Sequence, residues 1–104
     1  MTKSYNKLVR DLIPDIIRAS GAECEVTVLS DEEYLKMIDK KLDEELAEYH
    51  KDESIEELAD LLEVIYAAAA ARGYTVDELE AIRAEKKEKR GGFEKKILLI
   101  ETVE

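Results

Sequence analysis

The stretch LDEELAEYHKDESIEELADLLEVIYAAAAA, residues 42–71, decides the fold. Two segments of helix-forming composition flank a short polar run, HKDES (50–54), so the stretch reads as an antiparallel helical hairpin. Glu45 and Glu48 stand three residues apart in the first segment, as do Glu57 and Asp60 in the second. On a helix that spacing puts each pair on one face, about one turn apart. A hairpin folded symmetrically about its middle sets Glu45 level with Asp60 and Glu48 level with Glu57. Four carboxylates gathered between two helices repel one another unless a cation lies among them. An all-oxygen donor set suits a hard divalent ion such as Mg²⁺.

Upstream, the first helix extends back to about residue 31 with an apolar stripe of Leu35, Ile38, Leu42, Leu46 and Tyr49. At roughly 100° per residue, Glu45 and Glu48 flank that stripe on one side, whereas Glu44 lies nearly opposite and faces water. The second helix, about 55–72, ends in VIYAAAAA (64–71), apolar all round and therefore expected to be enclosed. A chain of 104 residues supplies too few helices to enclose it, which predicts a homodimer sharing one bundle. Tyr66 on this helix reads as a core residue rather than a base-stacking platform.

Further out, three helix starts carry capping-box spacing: Ser30 with Glu33, Ser54 with Glu57, and Thr75 with Glu78. Gly73 and Gly91 close the second and third of these helices. Pro14 and Gly21 bracket a short helix through Ile16 and Ile17. CEVTVL (24–29) and ILLIETV (97–103) read as two strands able to pair. The fold class is mainly α, with this minor two-stranded element, in a single domain over 1–104.

A net charge of −10 argues against binding duplex or single-stranded nucleic acid, which requires a basic surface. It leaves a nucleotide ligand open, because bound metal inverts the sign of a local site. One cysteine, Cys24, and one histidine, His50, exclude an internal disulfide and a zinc cluster. Cys24 reads as a small buried hydrophobe and His50 as a turn residue. No signal-like segment opens the chain, and the longest apolar run, 64–71, is too short to span a bilayer. The expectation is a cytoplasmic protein with no membrane partner.

Each candidate site residue has a plainer reading beside the functional one. Glu57 is either a ligand or the acid that closes the Ser54 cap. The whole quartet is either a metal site or solvated surface charge. Lys86 and Arg90, four apart on the last helix, either complement its dipole or clamp phosphate, a task for which the arginine fork is suited. Lys7 and Arg10 are substrate contacts or surface partners of the abundant acids.

The order EELAE (44–48), a spacer, then ELAD (57–60) resembles the all-α nucleoside triphosphate pyrophosphohydrolases, the MazG-like superfamily. Its relatives include phosphoribosyl-ATP pyrophosphohydrolases and dimeric dUTPases. Every position of the superfamily pattern Glu-Glu-x-x-Glu, spacer, Glu-x-x-Asp is matched. Together with YNKLVRDLIP (5–14), KKEKRGGF (86–93) and the ILLIE tail, it is similar to a house-cleaning subgroup over nearly the whole chain. The resemblance implies a helical bundle assembled as a dimer. It also implies Mg²⁺, or Mn²⁺ in its place, on Glu45, Glu48, Glu57 and Asp60. Glu44 or Glu48 would activate water, and Lys86, Arg90, Lys7 and Arg10 would contact substrate phosphates. The implied reaction is hydrolysis of a nucleoside triphosphate, of a non-standard kind in this subgroup, to the monophosphate and pyrophosphate. The eight-residue spacer (49–56) is short for the superfamily and limits any cap over the base.

Overall fold

Three of the four helices begin where a hydroxyl side chain can accept from the backbone of the first turn. The computed structural model describes residues 2–104. It contains α1 (Ile13–Ala19), α2 (Asp31–Asp52), α3 (Ile55–Ala71) and α4 (Val76–Arg90). Pro14 stands in the first turn of α1. Ser30 and Thr75 cap α2 and α4 with complete capping boxes, in which the Glu33 and Glu78 carboxylates accept from the cap residues' own N–H groups. The connection within the hairpin is tighter than the five-residue turn expected. His50, Lys51 and Asp52 remain helical, and only Glu53 and Ser54 join α2 to α3. Glu53 makes the reversal in the left-handed region at φ 52°, its N–H donating to Tyr49 O at 2.7 Å.

The other end of α3 is closed by a Schellman arrangement. Gly73 N–H donates to Ala70 O and Tyr74 N–H to Ala69 O, both at 3.0 Å, with Gly73 at φ 92°. The hairpin of α2 and α3 is the main packed unit. Among the described residues α4 touches only α3, and α1 packs on no other helix.

Among the described residues only Ile38 of α2 and Val64 of α3 are buried, at 4% and 9% exposure. The enclosure expected for residues 64–71 is therefore incomplete in the single chain: Ile65 keeps 37% of its surface. The molecule measures 62 × 31 × 24 Å with a radius of gyration of 18.2 Å, where a compact chain of this length has about 13 Å. Its accessible surface is 9568 Å², whereas an 11.9 kDa globule exposes roughly 5,900 Å².

The expected β element does not form. Neither 24–29 nor 97–103 is a strand, and no strand is present among the described residues. Ile97 to Ile100 remain 75–80% exposed. An extended segment has no stability without a neighbouring edge, and this tail reaches none. No helix among the described residues is long and apolar enough to cross a membrane.

Candidate metal centre

The hairpin register brings the acids together. Glu45, Glu57 and Asp60 each offer a carboxylate oxygen within 4.8 Å of the other two, and Glu48, Asp52 and Glu57 form a second such group. Glu57 belongs to both, so all four sequence-derived ligands join one cluster with Asp52 added. The match follows from helix geometry: a two-residue reversal keeps the α2 face bearing 45 and 48 opposite the α3 face bearing 57 and 60.

The rival role of Glu57 resolves at the level of its two groups. Its backbone N–H donates to Ser54 Oγ at 3.3 Å, satisfying one orphan donor of the first turn. Its carboxylate does not return to Ser54, unlike the corresponding acids at the two complete boxes. The backbone serves the cap and the side chain serves the cluster. Partial burial pushes the Glu57 carboxyl above the usual glutamate value, and the charges of Asp52, Asp60, Glu48 and Glu45 add to that push.

Cations of the chain itself meet the cluster. Lys41 Nζ lies 3.2 Å from Glu44 Oε1 and 3.3 Å from Glu45 Oε1. From the N-terminal segment, Lys7 Nζ reaches the same Glu44 oxygen at 3.2 Å, and Arg10 Nη2 donates to Asp60 Oδ1 at 2.7 Å. Glu44 is thus not the solvent-facing residue its helical angle suggested. Its side chain is 29% exposed because the segment carrying Lys7 lies over it. Partial burial alone would push its carboxyl up. Hydrogen bonds and charge from Lys41 and Lys7 outweigh that and hold it below the usual value. Glu45 is screened further, with 13% of its side chain exposed.

Of the four basic residues read from the sequence, Lys7 and Arg10 reach the acids and Lys86 and Arg90 do not. The latter two sit exposed near the end of α4, with no hydrogen bond or ion pair to the cluster among the described residues. Among the described residues α4 packs on α3 and makes no contact with α2. Sequence reasoning missed Asp52, which was assigned to the turn. It also missed Lys41, whose four-residue spacing from Glu45 was an available signal.

The donor set fits a hard divalent cation. It offers carboxylate oxygens alone, drawn from two packed helices, with one acid held high by partial burial and by its neighbours' charge. No protein-family model matches the chain, and no solved structure matches it. A protein of Mycolicibacterium smegmatis, described as uncharacterized, is 57% identical over 42 residues. That stretch is 40% of this chain and 43% of the relative, so the chain spans less than half of that protein's length.

Proposed function

We propose that the protein is a metal-dependent nucleoside triphosphate pyrophosphohydrolase that releases the monophosphate and pyrophosphate. The observation that carries this reading is the mutual approach, within 4.8 Å, of oxygens from Glu45, Glu57 and Asp60, in the EELAE and ELAD framework. Glu45, Glu48, Glu57 and Asp60 would hold Mg²⁺, or Mn²⁺ in its place. The bound ion would supply neutralisation of phosphate charge and a more acidic attacking water.

The chain's own groups divide the remaining work. Glu44 is engaged by two ammonium groups and held in its ionised form, so it is a weak proton acceptor and a good anchor for Lys7 and Lys41. Glu48 is exposed and makes no ion pair among the described residues, which makes it the better acceptor for the proton of the attacking water. Lys7 and Arg10 enter from the N-terminal segment at the same face and would contact the phosphates.

A homodimer belongs to this proposal. The excess of about 3,600 Å² per chain is more than each partner's share of an obligate interface, about 1,000–2,500 Å². The partner would cover the alanine-rich half of α3. Pairing of 24–29 with 97–103 would then arise on assembly, where an edge becomes available. The compartment proposed is the cytoplasm.

A rival reading, a helical interaction module without catalysis, draws support from the ion pairs: Lys41 and Arg10 already neutralise two of the acids. A panel of nucleoside triphosphates assayed for pyrophosphate release with and without Mg²⁺ separates the two. Release that requires the ion, and that falls at least about 100-fold in Glu45→Ala and Asp60→Ala, supports the enzyme. That loss corresponds to roughly 2.7 kcal/mol of barrier. Full turnover in both variants rejects the assignment, and silence across the panel favours the module.

A further inference from the structure

Lys7 and Arg10 tie one short stretch of the N-terminal segment to the hairpin, and the two pairs end on acids of different kinds. Arg10 Nη2 donates to Asp60 Oδ1 at 2.7 Å, and Asp60 belongs to the group whose oxygens lie within 4.8 Å of one another. Lys7 Nζ meets Glu44 Oε1 at 3.2 Å, and Glu44 belongs to neither acid group. The backbone adds no tie: among the described residues no main-chain hydrogen bond joins 2–12 to α2 or α3. Packing along the stretch is uneven. Leu8 is half-buried and shares a small hollow with Met37 of α2, whereas Val9 and Leu12 keep 51% and 67% of their surface. α1, which follows, packs on no helix among the described residues. The Lys7 end is therefore seated. The Arg10 end is held by one exposed pair, with side-chain exposures of 59% for the arginine and 43% for the aspartate.

We propose that the N-terminal segment is an ion-operated latch, in which Arg10 clasps Asp60 until a divalent cation binds there and then swings away with α1, while Lys7 stays on Glu44. The latch rests on the metal half of the proposed function and adds a conformational consequence to it. A dication among Glu45, Glu57 and Asp60 offsets the negative charge that draws Arg10 and sets like charge beside the guanidinium. Lys7 meets no such competitor, because Glu44 lies outside the ligand set and two ammonium groups hold it ionised. An exposed pair favours its closed form by about 1.4–5-fold. The closed form shields Arg10, and weakens ion binding, by one plus that ratio, so a single factor of roughly 2–6 governs two independent measurements.

The test is modification of the full chain by phenylglyoxal, with Arg10 and Arg90 followed separately by peptide mass spectrometry. Arg90, exposed and without an ion pair among the described residues, is the internal reference. Equilibrium dialysis reports ion occupancy in parallel. From chelator to saturating Mg²⁺, the Arg10 rate relative to Arg90 should rise about 2–6-fold. Acetylation of Lys7 should stay at its chelator rate. Asp60→Ala, with helical content confirmed by circular dichroism, should label Arg10 at the fast rate without the ion. R10Q should bind Mg²⁺ about 2–6-fold more tightly than the unaltered chain. An Arg10 rate unmoved by an ion that dialysis shows to be bound overturns the latch and leaves the metal reading standing. Equal or weaker ion binding by R10Q overturns it too, as does a slow Arg10 in folded Asp60→Ala or release of Lys7 together with Arg10. No bound ion removes the latch and the metal reading together. Accelerated Arg10 labelling without pyrophosphate release from any nucleotide keeps the latch and removes the enzyme; ion-dependent release with Arg10 unmoved does the reverse.

Discussion

Replacing Lys41 by Met removes the ammonium that bridges Glu44 and Glu45 while retaining most of the apolar stem. Side-chain exposures of 18% for Lys41, 13% for Glu45 and 29% for Glu44 place the triad between two regimes. Exposed pairs contribute about 0.2–1 kcal/mol, and breaking a fully buried pair costs about 3–5 kcal/mol. A loss of about 1–2 kcal/mol is therefore expected, because Glu45 loses its counterion beside four other acids and Glu44 is left with Lys7 alone. For a domain of this size each kcal/mol lowers Tm by about 4–8 °C, giving a fall of roughly 5–15 °C in chelator. Saturating Mg²⁺ changes the comparison, since the ion occupies the carboxylates whether or not the ammonium is present. Ligand at 100 times its Kd adds about 2.7 kcal/mol to whichever chain binds it. Lys41→Met, freed of the competing ammonium, should bind the ion more tightly and recover at least half of its deficit. Thermal unfolding of both chains in chelator and in Mg²⁺ measures this directly. A deficit unchanged by Mg²⁺ would refute the view that ammonium and metal compete for the same oxygens.

Three further outcomes follow from the same geometry. Glu57 has a folded-state pKa above its unfolded value, so its ionisation opposes folding fully above the folded pKa, and that penalty is relieved as pH falls toward the ordinary value of ~4.3. In chelator, the Tm advantage of Glu57→Gln over the unaltered chain should be greatest near pH 7 and shrink on acidification; an advantage that grows on acidification contradicts the cluster's repulsion. Ser54→Ala should cost about 1 kcal/mol by losing the α3 cap, yet keep its Mg²⁺-induced Tm rise, because the Glu57 carboxylate takes no part in that cap. Loss of the Mg²⁺ response in that variant would show that cap and site are not separable. Sedimentation at micromolar concentration should give a species of about twice the 11.9 kDa chain mass, and a monomer at all concentrations tested would remove the shared bundle.

What the sequence disclosed, and what it hid, divides along the range of the interactions. Helix starts at Ser30, Ser54 and Thr75 depend on contacts three residues long and were legible. So was the facing of Glu45 and Glu48 with Glu57 and Asp60, because one reversal and the 3.6-residue period determine it. Glu44 was misplaced because its surroundings come from Lys7, thirty-seven positions away, which no helical angle reports. Asp52 was assigned to the turn because polar residues at a helix end carry no mark of where the last turn closes. Lys86 and Arg90 were given phosphate contacts through the family resemblance, and the course of α4 away from α3 is set by packing that local spacing does not report. The β-prone alternation of 24–29 and 97–103 states a preference that only a neighbouring edge can realise, and none is present among the described residues.

Crystals grown with Mn²⁺ and measured at the manganese absorption edge provide the most direct trial of an ion held by the hairpin acids. The expected result is an anomalous peak bounded by Glu45, Glu57 and Asp60, with oxygens at roughly the 2.0–2.2 Å distances of small divalent ions and with Lys41 and Arg10 turned away from them. A map without that peak, in which Lys41 still bridges Glu44 and Glu45 and Arg10 still holds Asp60, would contradict it.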